Sequence, residues 1–302
     1  MPPTGSGEFF LTEGGSETEV MFRHGFELPE FAMFLLLGNP KTANVIHGFL
    51  TAQLDATAEF GHSFTLTGLD YRASPDWGEK LGYSPQGLAD ANIAPIEFLR
   101  GIAKNYKTQI PNLLIGSILG SRGDAYQLNQ DITAESAEGY HAIQLPTLKS
   151  ADVDFVSAMT FNNVPEAVGA SRAAAKLGVS ISLTLDSTHR PESGVSLPEA
   201  ITQIDEQTGP DAPDFFLLNC SHPLEFEPAI ENRDWIKRLR GVRPSVCKME
   251  KIALCKLGHI EDGDPKELGE QVADLSRRFR HMDIFGGCSG ARERLGAKTR
   301  RV

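Results

Sequence analysis

Eight short apolar runs, separated by segments of helical spacing, predict a single-domain α/β protein over residues 1–302, folded as a (β/α)8 barrel of the TIM type. The runs are nearly continuous in apolar character, as strands covered on both faces require. No G-x-G-x-x-G follows the first of them, which weakens the competing doubly wound dinucleotide-binding sheet.

In order, the candidate strands are EFFLTEG (8–14), HSFTLTG (62–68), NLLIGSILG (112–120), DFVSAMT (154–160), VSISLTLD (179–186), DFFLLNC (214–220), GVRPSVC (241–247) and MDIFGGC (282–288). Between the third and fourth, ITAESAEGYHAIQLPTLKSA (132–151) has helical spacing and opens with Thr133 ahead of Glu135 and Glu138. Between the fourth and fifth, PEAVGASRAAAKLG (165–178) is rich in alanine and ends on a glycine, as a helix with a C-terminal stop should. Before the eighth, PKELGEQVADLSRRFR (265–280) again places apolar residues on one helical face. No internal repeat, low-complexity tract or linker divides the chain.

Composition narrows the function classes. With 40% hydrophobic residues the chain can bury a large core, and its net charge of −11 opposes the phosphate-neutralising surface that nucleic-acid binding requires. No run of roughly 18 apolar residues suggests a membrane span, and MPPTGSGEFFLTEGG has no basic segment leading into an apolar one. A cytoplasmic protein acting on small molecules is the expectation, with homo-oligomerisation left open.

In a parallel barrel the active site lies at the carboxyl ends of the strands, so the residues that close each run are the candidates. They are Glu13-Gly14-Gly15, Asp70-Tyr71-Arg72, Met159-Thr160, Asp186, Asn219-Cys220, Cys247 and Gly286-Gly287-Cys288. Three of the four cysteines fall at such tips, and Cys255, in IALCKLG, reads as a core residue. A reduced chain of this size needs no disulfide, so the thiols are either buried hydrophobes or ligands for a soft metal. Thiolates from separate strand tips converge on the barrel mouth, and a thiolate-rich zinc suits the activation of a substrate thiol. His222, two residues past Cys220, fits loop packing or support of that ligand; Trp77, with Asp70 and Asp76, is a candidate border for a sulfonium donor.

Six segments together carry a resemblance: LTEGGSETEVMFRHGFELPEFAMFLLL, YRASPDWGEKLGYS, GSRGDAYQ, LLNCSHP, EDGDPKELGE and GGCSG. In this order, over nearly the whole chain, they resemble the homocysteine S-methyltransferase family. The resemblance implies a zinc-containing barrel that moves a methyl group from a small sulfonium donor, of the S-methylmethionine or S-adenosylmethionine type, to homocysteine or a related thiol, and so a place in methionine biosynthesis. It implies Cys220 and Cys288 as zinc ligands, and Glu13, Gly14, Gly15 and Asn219 as substrate-binding residues. The family's third zinc cysteine is Ser289 here, and its usual D-G-G opens with Glu13. Met159 stands where some members carry a glutamate for the acceptor's amino group, and ARERLG replaces T-D-x-x-H. Cys247 is the candidate replacement ligand. A folate or cobalamin donor is not expected, since 302 residues leave no room for the additional domains. The alternatives are a divergent, zinc-free barrel with another enzymatic or ligand-binding role, and a protein-binding scaffold.

Overall fold

In the computed structural model, residues 1–3, 7–127, 129–186, 188–249, 257–259 and 263–288 are described. Eight parallel strands close into one barrel in sequence order: β1 (Phe10–Thr12), β2 (Ser63–Leu66), β3 (Leu113–Gly120), β4 (Phe155–Phe161), β5 (Val179–Leu183), β6 (Phe215–Asn219), β7 (Leu239–Arg243) and β8 (Ile284–Phe285). Closure runs through β1, where Phe10 is in register with Ser63 of β2 on one side and with Ile284 of β8 on the other. The predicted fold class is therefore the observed one.

The intervening helices are α1 (Pro40–Phe60), α2 (Pro85–Ala103), α3 (Ala134–Ala142), α4 (Val164–Ala174), α5 (Leu197–Thr208) and α6 (Pro265–Arg278). Their starts are written in the sequence. Asn39, Ser84, Thr133, Asn163, Ser196 and Asp264 each accept a backbone N–H from the first turn of the helix that follows. The segment expected to be one helix over 132–151 breaks after Ala142, and a short second helix begins at Leu145 with Pro146 in its first turn. The helix expected over 165–178 tightens to a 3-10 turn at Ala175–Leu177 before Gly178, whose φ of 74° ends it.

Alternation along the strands divides the core in two. Leu11, Phe64, Leu66, Ile181, Phe216, Leu218, Val242 and Phe285 belong to the main cluster packed against the helices. Phe10, Phe215, Leu217 and Ile284 form a separate cluster, with Met1 and Leu114 against it, which plugs the amino-terminal end of the barrel. Gly286 follows β8 because a Cβ there would run into the Thr12 side chain of β1.

Two strands stop short of the cysteines expected at their tips, and β8 ends at Phe285, three residues before Cys288. The seventh strand was expected to run to Cys247, but β7 ends at Arg243. Pro244 has no N–H to donate to a ladder, so the chain leaves the sheet there and Cys247 lies four residues beyond the tip.

Candidate active site

The strand tips open into a cavity of about 580 Å³, a size suited to small organic ligands. Glu13, Gly14, Gly15, Met159, Asn219, Arg243 and all three described cysteines line it. The backbone stitches the tips into one rim. Cys220 N donates to Arg243 O at 3.1 Å, Cys288 N to Pro244 O at 2.9 Å and Gly15 N to Cys288 O at 3.2 Å, linking β6 to β7, β7 to β8 and β8 to the loop after β1.

Cys220 and Cys288, 68 residues apart in sequence, meet at this rim. Their Cα atoms are 5.3 Å apart and their sulfurs are joined as a disulfide. The sequence led us to expect free thiols; the barrel brings the pair close enough to bond. Cys220 has a left-handed backbone, φ 55°, as does Thr160 across the mouth at φ 64°. Asn219 ties the two tips together: its Nδ2 donates to Thr160 Oγ1 at 2.8 Å and to Cys220 Sγ at 3.4 Å, while its Oδ1 accepts from Thr160 N at 3.3 Å and Thr184 Oγ1 at 3.2 Å. His222 caps the turn Pro223–Phe226, with its Nδ1 accepting from Leu224 N at 3.2 Å, and burial lowers its pKa. It serves the loop.

Glu13 is buried, and its carboxylate is already engaged. It accepts from Thr67 N at 3.1 Å, from the Thr67 hydroxyl, and from Arg243 Nη2 at 2.8 Å. Arg243 also donates to Glu13 O at 3.1 Å and, through Nη1, to Met159 Sδ at 3.2 Å. The glutamate expected to bind substrate thus has a fixed internal cation. Arg243 is not among the residues the sequence puts at the strand tips, because GVRPSVC reads as a strand running on to the cysteine. The signal was the proline directly after the arginine, which marks the true tip.

The donor border also differs from expectation. None of Asp70, Asp76 and Trp77 lines the cavity, whereas Tyr71 and Arg72 do. Asp70 is buried beneath the rim, accepting from the Ser117 hydroxyl and from Ile118 N at 2.9 Å, and burial pushes its carboxyl up to about 6. The Trp77 ring carries two internal cations, the Arg72 guanidinium at 4.3 Å and the Lys80 ammonium at 4.8 Å. It anchors its loop and is not offered to a sulfonium. Apolar contact at the mouth comes instead from Met21, Phe22, Phe31, Tyr126 and Met249.

A homocysteine S-methyltransferase family model matches residues 11–295. The chain belongs to that family. This makes it an S-methyltransferase by family, and the barrel is shared with solved members. Escherichia coli homocysteine methyltransferase MmuM superimposes with a TM-score of 0.68 in its metallated form and 0.66 in its oxidized form, each at 17% identity over 97% of this chain and 95% of that one. The apo form gives 0.63 at 14% identity, over 98% of this chain and 95% of that one. At such identities the likeness speaks for the fold. No curated protein sequence matches the chain.

The residues present fit zinc in part. As thiols, Cys220 and Cys288 supply two soft donors at one point of the rim, which suits two of the three protein positions of a catalytic zinc. A third donor is not gathered: among the described residues no three His, Cys, Asp or Glu side chains form a metal-holding group. Ser289, Cys255 and the ARERLG segment lie outside the described residues. Cys247 is free and lines the same cavity, accepting from Met249 N at 3.3 Å.

Proposed function

We propose that the protein transfers a methyl group from a small sulfonium donor to homocysteine or a closely related thiol. The observation that carries this reading is the convergence of Cys220 and Cys288 at the rim of the cavity that the loop after β1 also lines. In the reduced protein these two thiols would hold zinc, with Cys247 the candidate third ligand from the loop beyond β7. Bound zinc would lower the pKa of an acceptor thiol so that its thiolate is present near neutral pH.

The rest of the site aligns and shields. Transfer is an in-line displacement: the acceptor sulfur bonds to the methyl carbon as the donor's carbon–sulfur bond breaks, and the bonding pair returns to the donor sulfur, leaving a neutral thioether. Neutralising a sulfonium in the transition state favours a dry, weakly polar wall over a fixed anion. Met21, Phe22, Phe31 and Tyr126 supply such a wall around the donor. Gly14, fixed by its N–H to Gln53 Oε1 at 2.7 Å, and Gly15 leave room for the acceptor's backbone-like end. Asn219 holds Cys220 and the β4 tip in register. The chain is read as one catalytic domain.

Methionine formation from homocysteine, assayed with several sulfonium donors in protein reduced and supplied with zinc, tests the reading. Zinc near one per chain with methyl transfer is the expected result. Far less than one zinc per chain would remove the thiolate mechanism. A zinc-free ligand-binding barrel is the second reading, favoured by the disulfide that occupies both thiols; it predicts neither metal nor transfer after reduction.

A further inference from the structure

Glu13 is closed by Arg243, and Met159, where some family members carry a glutamate, has no charge to offer an acceptor's ammonium. The cavity wall nevertheless carries another carboxylate. Glu17 lies on the short helical turn Ser16–Thr18 directly after β1, partly buried, and its side chain has no hydrogen-bond or ion-pair partner among the described residues. The remaining acids of the wall are differently placed. Asp124 is exposed and caps Tyr126 N at 2.9 Å, and Glu225 accepts from His222 N at 2.8 Å. Glu17 is held near the thiols because Gly15 N, two residues before it, donates to Cys288 O at 3.2 Å. Burial, and the neighbouring Glu13 carboxylate after it, push the Glu17 carboxyl up to about 7 against the opposing pull of its own amide and Arg243. A side chain so placed gains most from a cation brought by a ligand.

We propose that Glu17 is the specificity-determining residue for the acceptor's ammonium, so that the cavity selects thiols that carry an amino group. Glu13 is then a positioning residue, holding Arg243 and the β2 tip. The inference rests on the acceptor reading above, and assigns to the turn after β1 the task expected of the strand tip itself.

The test is calorimetric titration of the reduced, zinc-supplied protein with homocysteine and with 4-sulfanylbutanoate, the same skeleton without the amino group. Wild type should prefer homocysteine. Glu17→Gln should weaken homocysteine by about tenfold to a hundredfold, the worth of one charge-assisted hydrogen bond, and leave the desamino thiol within about threefold. Glu17→Asp should restore part of the preference. If Glu17→Gln keeps the wild-type preference, or weakens both thiols alike, the assignment is wrong. If wild type binds neither thiol, the acceptor reading itself falls and takes the assignment with it, a result distinguishable because it precedes any variant.

Discussion

Arg243 reaches across the barrel mouth to a residue 230 positions away, and its guanidinium is shared between the Glu13 carboxylate and the Met159 sulfur. Both charges are buried, at 7% and 2% exposure, so neither has water to fall back on. Arg243→Met should therefore cost about 3–5 kcal/mol, since it strands the Glu13 charge, and the double variant with Glu13→Gln should recover much of that loss. Urea denaturation of the single and double variants checks both; additive losses would mean the pair is not coupled.

Asp70 is the second residue with a measurable signature. Its carboxyl stands at about 6 in the folded protein against 3.8 ordinarily, because burial disfavours the charge. Between those values the folded state binds the proton and the unfolded state releases it. Stability from this group is therefore greatest below pH 4 and declines as pH rises to about 6, by roughly 3 kcal/mol at most. Asp70→Asn should flatten that part of the stability profile. Parallel profiles for wild type and variant would show that the carboxyl is not displaced.

Among the elements, β6 depends most on its tip. Asn219 bonds sideways to β4 and to Thr184 beyond β5, and it holds Cys220 in a conformation that non-glycine residues rarely adopt. Asn219→Ala removes these bonds and leaves buried groups unpaired, for an expected loss of about 1–3 kcal/mol. Thermal unfolding measures it, and Cys220–Cys288 disulfide formation should slow in the same variant as the tip loosens. A melting temperature equal to wild type would deny Asn219 this role. Helix starts were legible because each is a local event: a side-chain oxygen two or three residues from the N–H it accepts. The end of β7 is equally local, written in Pro244, although Val246 and Cys247 resume apolar character after Arg243-Pro244-Ser245.

For the molecule as a whole, the bond between Cys220 and Cys288 joins β6 to β8 across β7 and closes a long loop. Reduction should lower stability by roughly 2–4 kcal/mol on loop-entropy grounds, and zinc added to the reduced protein should restore part of it. Cys220→Ser should respond to neither reductant nor zinc. Wild type that melts at one temperature in all three conditions would mean that the pair is neither bonded nor metal-binding in solution. Cys247→Ala tests the third ligand: undiminished zinc affinity removes Cys247 from the site.

The sequence by itself determined the barrel, because strand number, apolar runs, capping residues and stop signals act over a few residues and repeat in order. It also placed Cys220 and Cys288 at one mouth, since the apolar runs of β6 and β8 stop one and three residues before them. Only the tertiary structure decided which charges are spoken for. The closing of Glu13 by Arg243, the filling of the Trp77 ring by Arg72 and Lys80, and the lack of a partner for Glu17 among the described residues depend on barrel register, which brings together side chains that no sequence spacing relates. Partnering is a property of three-dimensional neighbours, and burial then fixes how much each missing or present partner is worth.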